Sequence, residues 1–117
     1  MNRLFVFFLM LIGSTNSIAE NVFTSTPVAI KDLTFYSNVE PLNPGWAGFA
    51  QIRFESTLPW GLPNECHDTL VAIRKEDGHL ISMALAASAS NKPLKVFGDT
   101  IQKIGGNICI LRALQVE

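Results

Sequence analysis

The apolar residues of this chain fall into three patterns. Residues 4–12 are nine apolar residues without a break. Leu80, Met83, Ala84 and Ala87 recur at i, i+3, i+4 and i+7, and Ile81 and Leu85 widen the stripe. That period predicts one mature helix over residues 79–90, with the stripe, Leu85 included, facing a core. Asp77 is placed to cap its N-terminus. Asn91 suits a left-handed stop, and Pro93 forbids continuation. The third pattern is short apolar runs, alternating or continuous, between Gly, Pro, Asn and Asp; these predict strands.

In chain order, residues 20–27 read as a loose polar lead-in. Val28 and Ile30 share one parity, Leu33 and Phe35 the other. One long first strand with a bulge near Lys31 and Asp32 reconciles them. Residues 38–45 are turn chemistry throughout. The second strand spans 46–55, with Trp46, Ala50, Ile52 and Phe54 on its core face. Residues 56–65 form a proline-bounded loop carrying Trp60. The third strand spans 66–75; its apolar run at 70–73 suits a central position. A short fourth strand covers 94–97. Residues 99–107 are a loop around Gly105 and Gly106 with a strand-like piece at 101–104, and residues 108–116 form the last strand.

The predicted order is β-β-β-α-β-β, so the fold is expected to be mainly β with one helix. It is the order of the OB-fold, a five-stranded Greek-key barrel with its helix between the third and fourth strands. The alternative is an open α+β sheet with the helix on one face. In the barrel topology the third and fifth strands run parallel as neighbours. Cys66 opens the third and Cys109 lies at the start of the fifth, so both sulfurs would sit at one end, within bonding reach.

Composition adds the compartment. The apolar run at 4–12 follows Arg3, is too short to span a bilayer, and precedes Ser17-Ile18-Ala19, small residues where a leader is cleaved. Residues 1–19 are therefore read as a signal peptide and residues 20–117 as a single OB-like domain of 98 residues. The product is expected to be secreted or periplasmic, with no membrane insertion after cleavage. Export makes a Cys66–Cys109 disulfide the default. Without Arg3, 8 basic residues face 10 acidic ones. No basic stripe survives, which argues against nucleic acid as a partner.

The stretch Leu80-Ile81-Ser82-Met83-Ala84-Leu85-Ala86-Ala87-Ser88-Ala89-Ser90-Asn91-Lys92-Pro93-Leu94-Lys95-Val96 resembles the helix-to-strand segment of pentameric toxin B subunits, notably the subtilase-cytotoxin type. It is similar also to small exported bacterial proteins of the same plan. The likeness covers most of the mature chain in plan and about twenty residues in sequence; it implies an OB-fold, glycan binding and a homopentamer. No sugar-contacting residue of that family matches a position here, so none is carried over.

Candidate chemistry is sparse. The two histidines, His67 and His79, do not make a metal site with Cys66 engaged in a disulfide. Glu65 and Asp68 could pair as carboxylates but read as solvated surface. No phosphate loop, dinucleotide fingerprint or Gly-x-Ser-x-Gly is present. The expectation is a non-enzymatic protein with no catalytic residue, no metal and no cofactor. Trp60 and Asn64, in one loop, combine an aromatic platform with a planar amide and are the candidate ligand-binding pair; Trp60 also reads as a plug over one barrel end. Trp46 reads as core. OB-folds bind through the loops that correspond here to residues 38–45 and 99–107. The functional expectation is an exported binding module of glycan-binding, toxin B-subunit type. The alternatives are a periplasmic interaction or inhibitor protein without a sugar site, and a small secreted hydrolase.

Overall fold

The computed structural model describes residues 21–61 and 66–117. The predicted signal peptide at 1–19, and Asn64 and Glu65, lie outside the described residues. Among those described there are six strands and one α-helix: β1 (Asn21–Phe23), β2 (Ile30–Phe35), β3 (Ala50–Phe54), β4 (Leu70–Ile73), α1 (Gly78–Ala89), β5 (Leu94–Ile104) and β6 (Ile108–Val116). A 3-10 turn at Pro44–Trp46 interrupts the β2–β3 connection. The strands form one mixed sheet in the order β1-β5-β6-β4-β3-β2. All neighbours are antiparallel except β4 and β6, which run parallel.

The fold is thus mainly β with one helix, as the pattern predicts, but the strand count is six and the sheet does not close into a barrel. The additional strand is β1, inside the stretch expected to be a loose lead-in. Two side chains account for it: Val22 is buried, and the Phe23 ring stacks on Phe97 at 5.6 Å. A single bridge, Val28 against Leu94, brings the lead-in of β2 to the start of β5; no ladder extends it. The expected bulge is present, as a register shift between Ile30 and Asp32.

The core lies between the helix and the sheet. Ile52, Val71, Ile73, Leu94, Val96 and Leu111 are fully buried and pack with Leu80, Ala84 and Ala87 of α1. The small alanines let the helix approach the sheet closely. The helix phase differs from expectation at two positions: Met83 and Leu85 are each 46% exposed. At 3.6 residues per turn Met83 falls about 70° to one side of the centre of the Leu80–Ala84–Ala87 stripe and Leu85 about 130° to the other, towards the opposite face. Asp77 makes no side-chain cap; its carboxylate accepts from Arg74 Nε at 3.2 Å instead. Asn91 does take the left-handed conformation, at φ 55°.

Strand ends moved as well. The third strand is only Leu70–Ile73, so Cys66 precedes it. The second begins at Ala50, and Trp46 sits in the 3-10 turn. The fourth runs on from Leu94 to Ile104, absorbing the expected loop, because it stays paired with β6 through two irregularities. At the first, Phe97 pairs with Ala113 but Gly98 with Leu111, so Arg112 is extra on β6. At the second, Asp99 pairs with Ile110 but Lys103 with Cys109, so residues 100–102 are extra on β5.

Candidate functional site

Cys66 and Cys109 are joined, with Cα atoms 5.3 Å apart. The pairing expected from the neighbouring third and fifth strands is the one observed, and a formed disulfide fits an oxidising compartment. Val22 and Trp60 pack against the bridge. Gly98 passes under it: an added Cβ would meet Cys109 Cβ and Trp60 Cη2, both at 3.2 Å. A side chain there would have to displace packed neighbours, which is why β5 carries glycine at this crossing.

Trp60, the first ligand candidate, is half-buried in this setting. Its indole N–H donates to the carbonyl of His67 at 2.9 Å, and its backbone bridges Thr24 of the lead-in. The ring therefore packs over the disulfide end of the sheet with its one donor engaged. Its expected companion Asn64 lies outside the described residues. His67 is occupied too: Nδ1 accepts from the backbone N–H groups of Thr69 at 3.1 Å and Leu70 at 3.2 Å. A ring accepting at Nδ1 carries its neutral-form proton on Nε2. Among the described residues no three His, Cys, Asp or Glu are grouped to hold a metal ion. No helix among them is long and apolar enough to cross a membrane.

A second aromatic group was not singled out as a site in the sequence. Tyr36, Trp46 and Phe49 stand together where the β2–β3 loop leaves and rejoins the sheet. Tyr36 and Trp46 have ring centroids 5.2 Å apart, and Phe49 meets Trp46 edge-on at 6.0 Å. Trp46 and Phe49, with Leu70 and Ile104, pack against Ala72, Ile108 and Ile110, a hydrophobic cluster separate from the main core. The β5–β6 turn reaches the same place: an added Cβ on Gly105 would lie 3.6 Å from Trp46 Cζ2. Gly105 has φ +64°, a conformation that suits glycine, and the turn passes beside the indole with no side chain at that position. The β2–β3 connection and the β5–β6 turn thus approach each other at Trp46 and Gly105.

The loop is built to hold its shape. Trp46 N–H donates to Asn43 O, Phe49 N–H to Trp46 O and Gly48 N–H to Ser37 O, each at 2.9 Å. The N–H of Leu42 donates to the Glu40 carboxylate at 2.9 Å. Gly48 has φ +78°, and a Cβ there would come within 2.8 Å of both Asn38 Oδ1 and Lys75 Cδ. At the crest of this ordered loop Val39 is 79% exposed and Leu42 86% exposed. Polar turn composition hid the feature in the sequence, because Tyr36, Trp46 and Phe49 are spread over fourteen residues with no period.

Asp99 is the one fully buried carboxylate among the described residues. Its Oδ1 accepts from Ile101 N–H at 2.8 Å and Gln102 N–H at 3.2 Å. Its Oδ2 accepts from Arg112 at 3.0 Å. Burial pushes the carboxyl up, but the two backbone N–H groups and the Arg112 guanidinium outweigh it and hold the group below its ordinary range. A groove of about 90 Å³ lies between the end of α1 and β2, lined by Ile30, Glu55, Ser88, Asn91 and Lys92 among others. It has room for about three waters and touches none of the residues above.

This architecture defines the chain as a small, disulfide-stapled, mainly-β domain with a loop-borne aromatic cluster. Comparison with protein-family models, curated proteins and solved structures finds no match.

Proposed function

We propose that this chain is an exported binding module of OB-like plan, which recognises a protein partner through the end where the β2–β3 loop meets the β5–β6 turn. The OB-like reading is supported by topology. Without β1, the sheet order β5-β6-β4-β3-β2, the parallel β4–β6 pair and the helix between β4 and β5 follow the Greek-key arrangement, and the Val28–Leu94 bridge lies where such a barrel would close. The disulfide supports export, with residues 1–19 as the cleaved leader. The domain acts by binding, not by catalysis, and needs no metal or cofactor.

The observation that carries the partner class is Val39 and Leu42, two exposed aliphatic side chains on a hydrogen-bonded loop. A rigid loop loses little entropy on docking, and exposed aliphatic groups beside half-buried aromatics suit a protein surface. A pyranose needs a free ring face and planar polar groups, and here Trp60 packs against Val22 and the disulfide. Glycan binding on a homopentamer, the toxin B-subunit reading, is the second reading; the Tyr36–Trp46 pair is what favours it.

A photo-crosslinking residue at position 42 in the exported protein should give a discrete adduct with a partner. The adduct should disappear with Trp46→Ala, and a crosslinker at position 85 on α1 should give none. A glycan-array signal abolished by Trp46→Ala, together with a five-fold native mass, would instead establish the second reading. Neither adduct nor array signal would remove the loop end from both.

A further inference from the structure

The two irregularities of the β5–β6 hairpin are adjacent, and one ion pair spans them. Arg112 is the extra residue on β6, and Asp99 is the last regularly paired residue before residues 100–102 loop out of β5. The Asp99 carboxylate takes the N–H groups of Ile101 and Gln102 with one oxygen and the Arg112 guanidinium with the other. Bulges bend a strand pair and re-aim what lies beyond them. Beyond these lies the arm of the hairpin, Lys103 and Ile104 paired with Ile108 and Cys109, whose turn places Gly105 against Trp46.

We propose that Asp99 and Arg112 form a clasp that sets the angle of the β5–β6 arm and so positions Gly105 beneath Trp46, shaping the loop-end face. In this role both are positioning residues that act on that face without touching a ligand. The inference deepens the binding reading above and rests on it for its purpose, but not for its geometry. The chemistry is specific. The two N–H groups point inward from a bulge and have no ladder partner, so the carboxylate supplies the acceptor that the sheet does not. The guanidinium neutralises the buried charge from the neighbouring strand. Carboxylate and guanidinium together hold two bulges in one conformation, and the Cys66–Cys109 disulfide anchors the arm beyond them.

The test uses Arg112→Gln, whose native side chain is 48% exposed, and Asp99→Asn, in the full disulfide-bonded protein. Amide exchange and the Trp46 indole signal are followed by NMR. Exchange at Ile101, Gln102 and Gly105 should quicken by about 10-fold or more in Arg112→Gln, with the Trp46 indole resonance displaced. Ile52 and Val71 in the core should keep their protection. Asp99→Asn should do the same more strongly. Wild-type exchange at Gly105 and an unmoved Trp46 signal in Arg112→Gln would overturn the clasp, whatever Asp99→Asn does to folding. Neither readout requires a ligand. A displaced Trp46 signal in Arg112→Gln, with no adduct at position 42 in the unsubstituted protein, would therefore sink the binding reading and leave the clasp standing.

Discussion

Replacing Cys66 and Cys109 together by alanine should cost this domain a large part of its stability. The bridge joins residues separated by 43 positions and encloses β4, α1 and β5. Closing a loop of that length in the unfolded chain removes about 13 cal/mol/K, or about 4 kcal/mol at 25 °C. Both cysteines are buried, and Val22 and Trp60 rest on them, so the truncation also loosens a small hydrophobic cluster. Against a total of roughly 5–15 kcal/mol for a domain near this size, the loss is decisive. The assay is urea unfolding at pH 7 of the oxidised protein and of the double variant. The midpoint should fall sharply and the slope should rise, because an unbridged chain exposes more surface when it unfolds. A loss under about 1 kcal/mol with an unchanged slope would refute the reasoning, since the unfolded chain would then be holding residues 66–109 together without the bond. Non-reducing peptide maps should recover Cys66 joined to Cys109 within one chain; an intermolecular bond would refute it equally.

Three further outcomes test the packing. Leu85→Asp should cost about 1–2 kcal/mol, from lost partial burial and poorer helix propensity, whereas Ala84→Asp one position away should prevent folding, because Ala84 is buried; similar melts for the two would show the helix phase to be wrong. Trp60→Ala should lower stability by about 2–3 kcal/mol, less than for a fully buried indole, while crosslinking at position 42 persists; an unchanged melting temperature would remove the indole's packing role. The folded Asp99 carboxyl titrates below its ordinary 3.8, so its stabilisation is complete above that value and is lost as pH falls through the folded value. Melting temperature should accordingly drop as pH falls below about 4, and Asp99→Asn should flatten the drop; equally steep profiles would show that Asp99 does not contribute.

Much of the fold was legible in the sequence because its signals are local. The helix announces itself by period and by Asn91 and Pro93, and the bulge in β2 by the parity switch between Ile30 and Leu33. The last strand is apolar for most of its length. The cystine followed from the redox state expected on export and from strands predicted to be neighbours. What failed was non-local. Val22 and Phe23 become a strand only because β5 presents an edge, and because the disulfide and Phe97 present surfaces to pack on. Met83 and Leu85 satisfy the apolar period yet lie outside the contact, since the period gives a stripe but the sheet selects its width. The candidate site belongs to the same class: Trp60 stood out in the sequence as an aromatic between prolines, while Tyr36, Trp46 and Phe49 did not.

By itself, then, the sequence determined the helix and its stop, five of the six strands in order, and the cystine, all of which depend on residues near one another in the chain or on chain-wide chemistry. Only the tertiary structure decided that the sheet has six strands and stays open. It also decided that Trp46 lies beside Gly105, and that Asp99 and Arg112 meet across two bulges. Trp46 and Gly105 are 59 positions apart in sequence, and Asp99 and Arg112 are 13 apart on facing strands. Such contacts carry no periodic trace, because packing and buried charge act through space once the backbone has closed the distance.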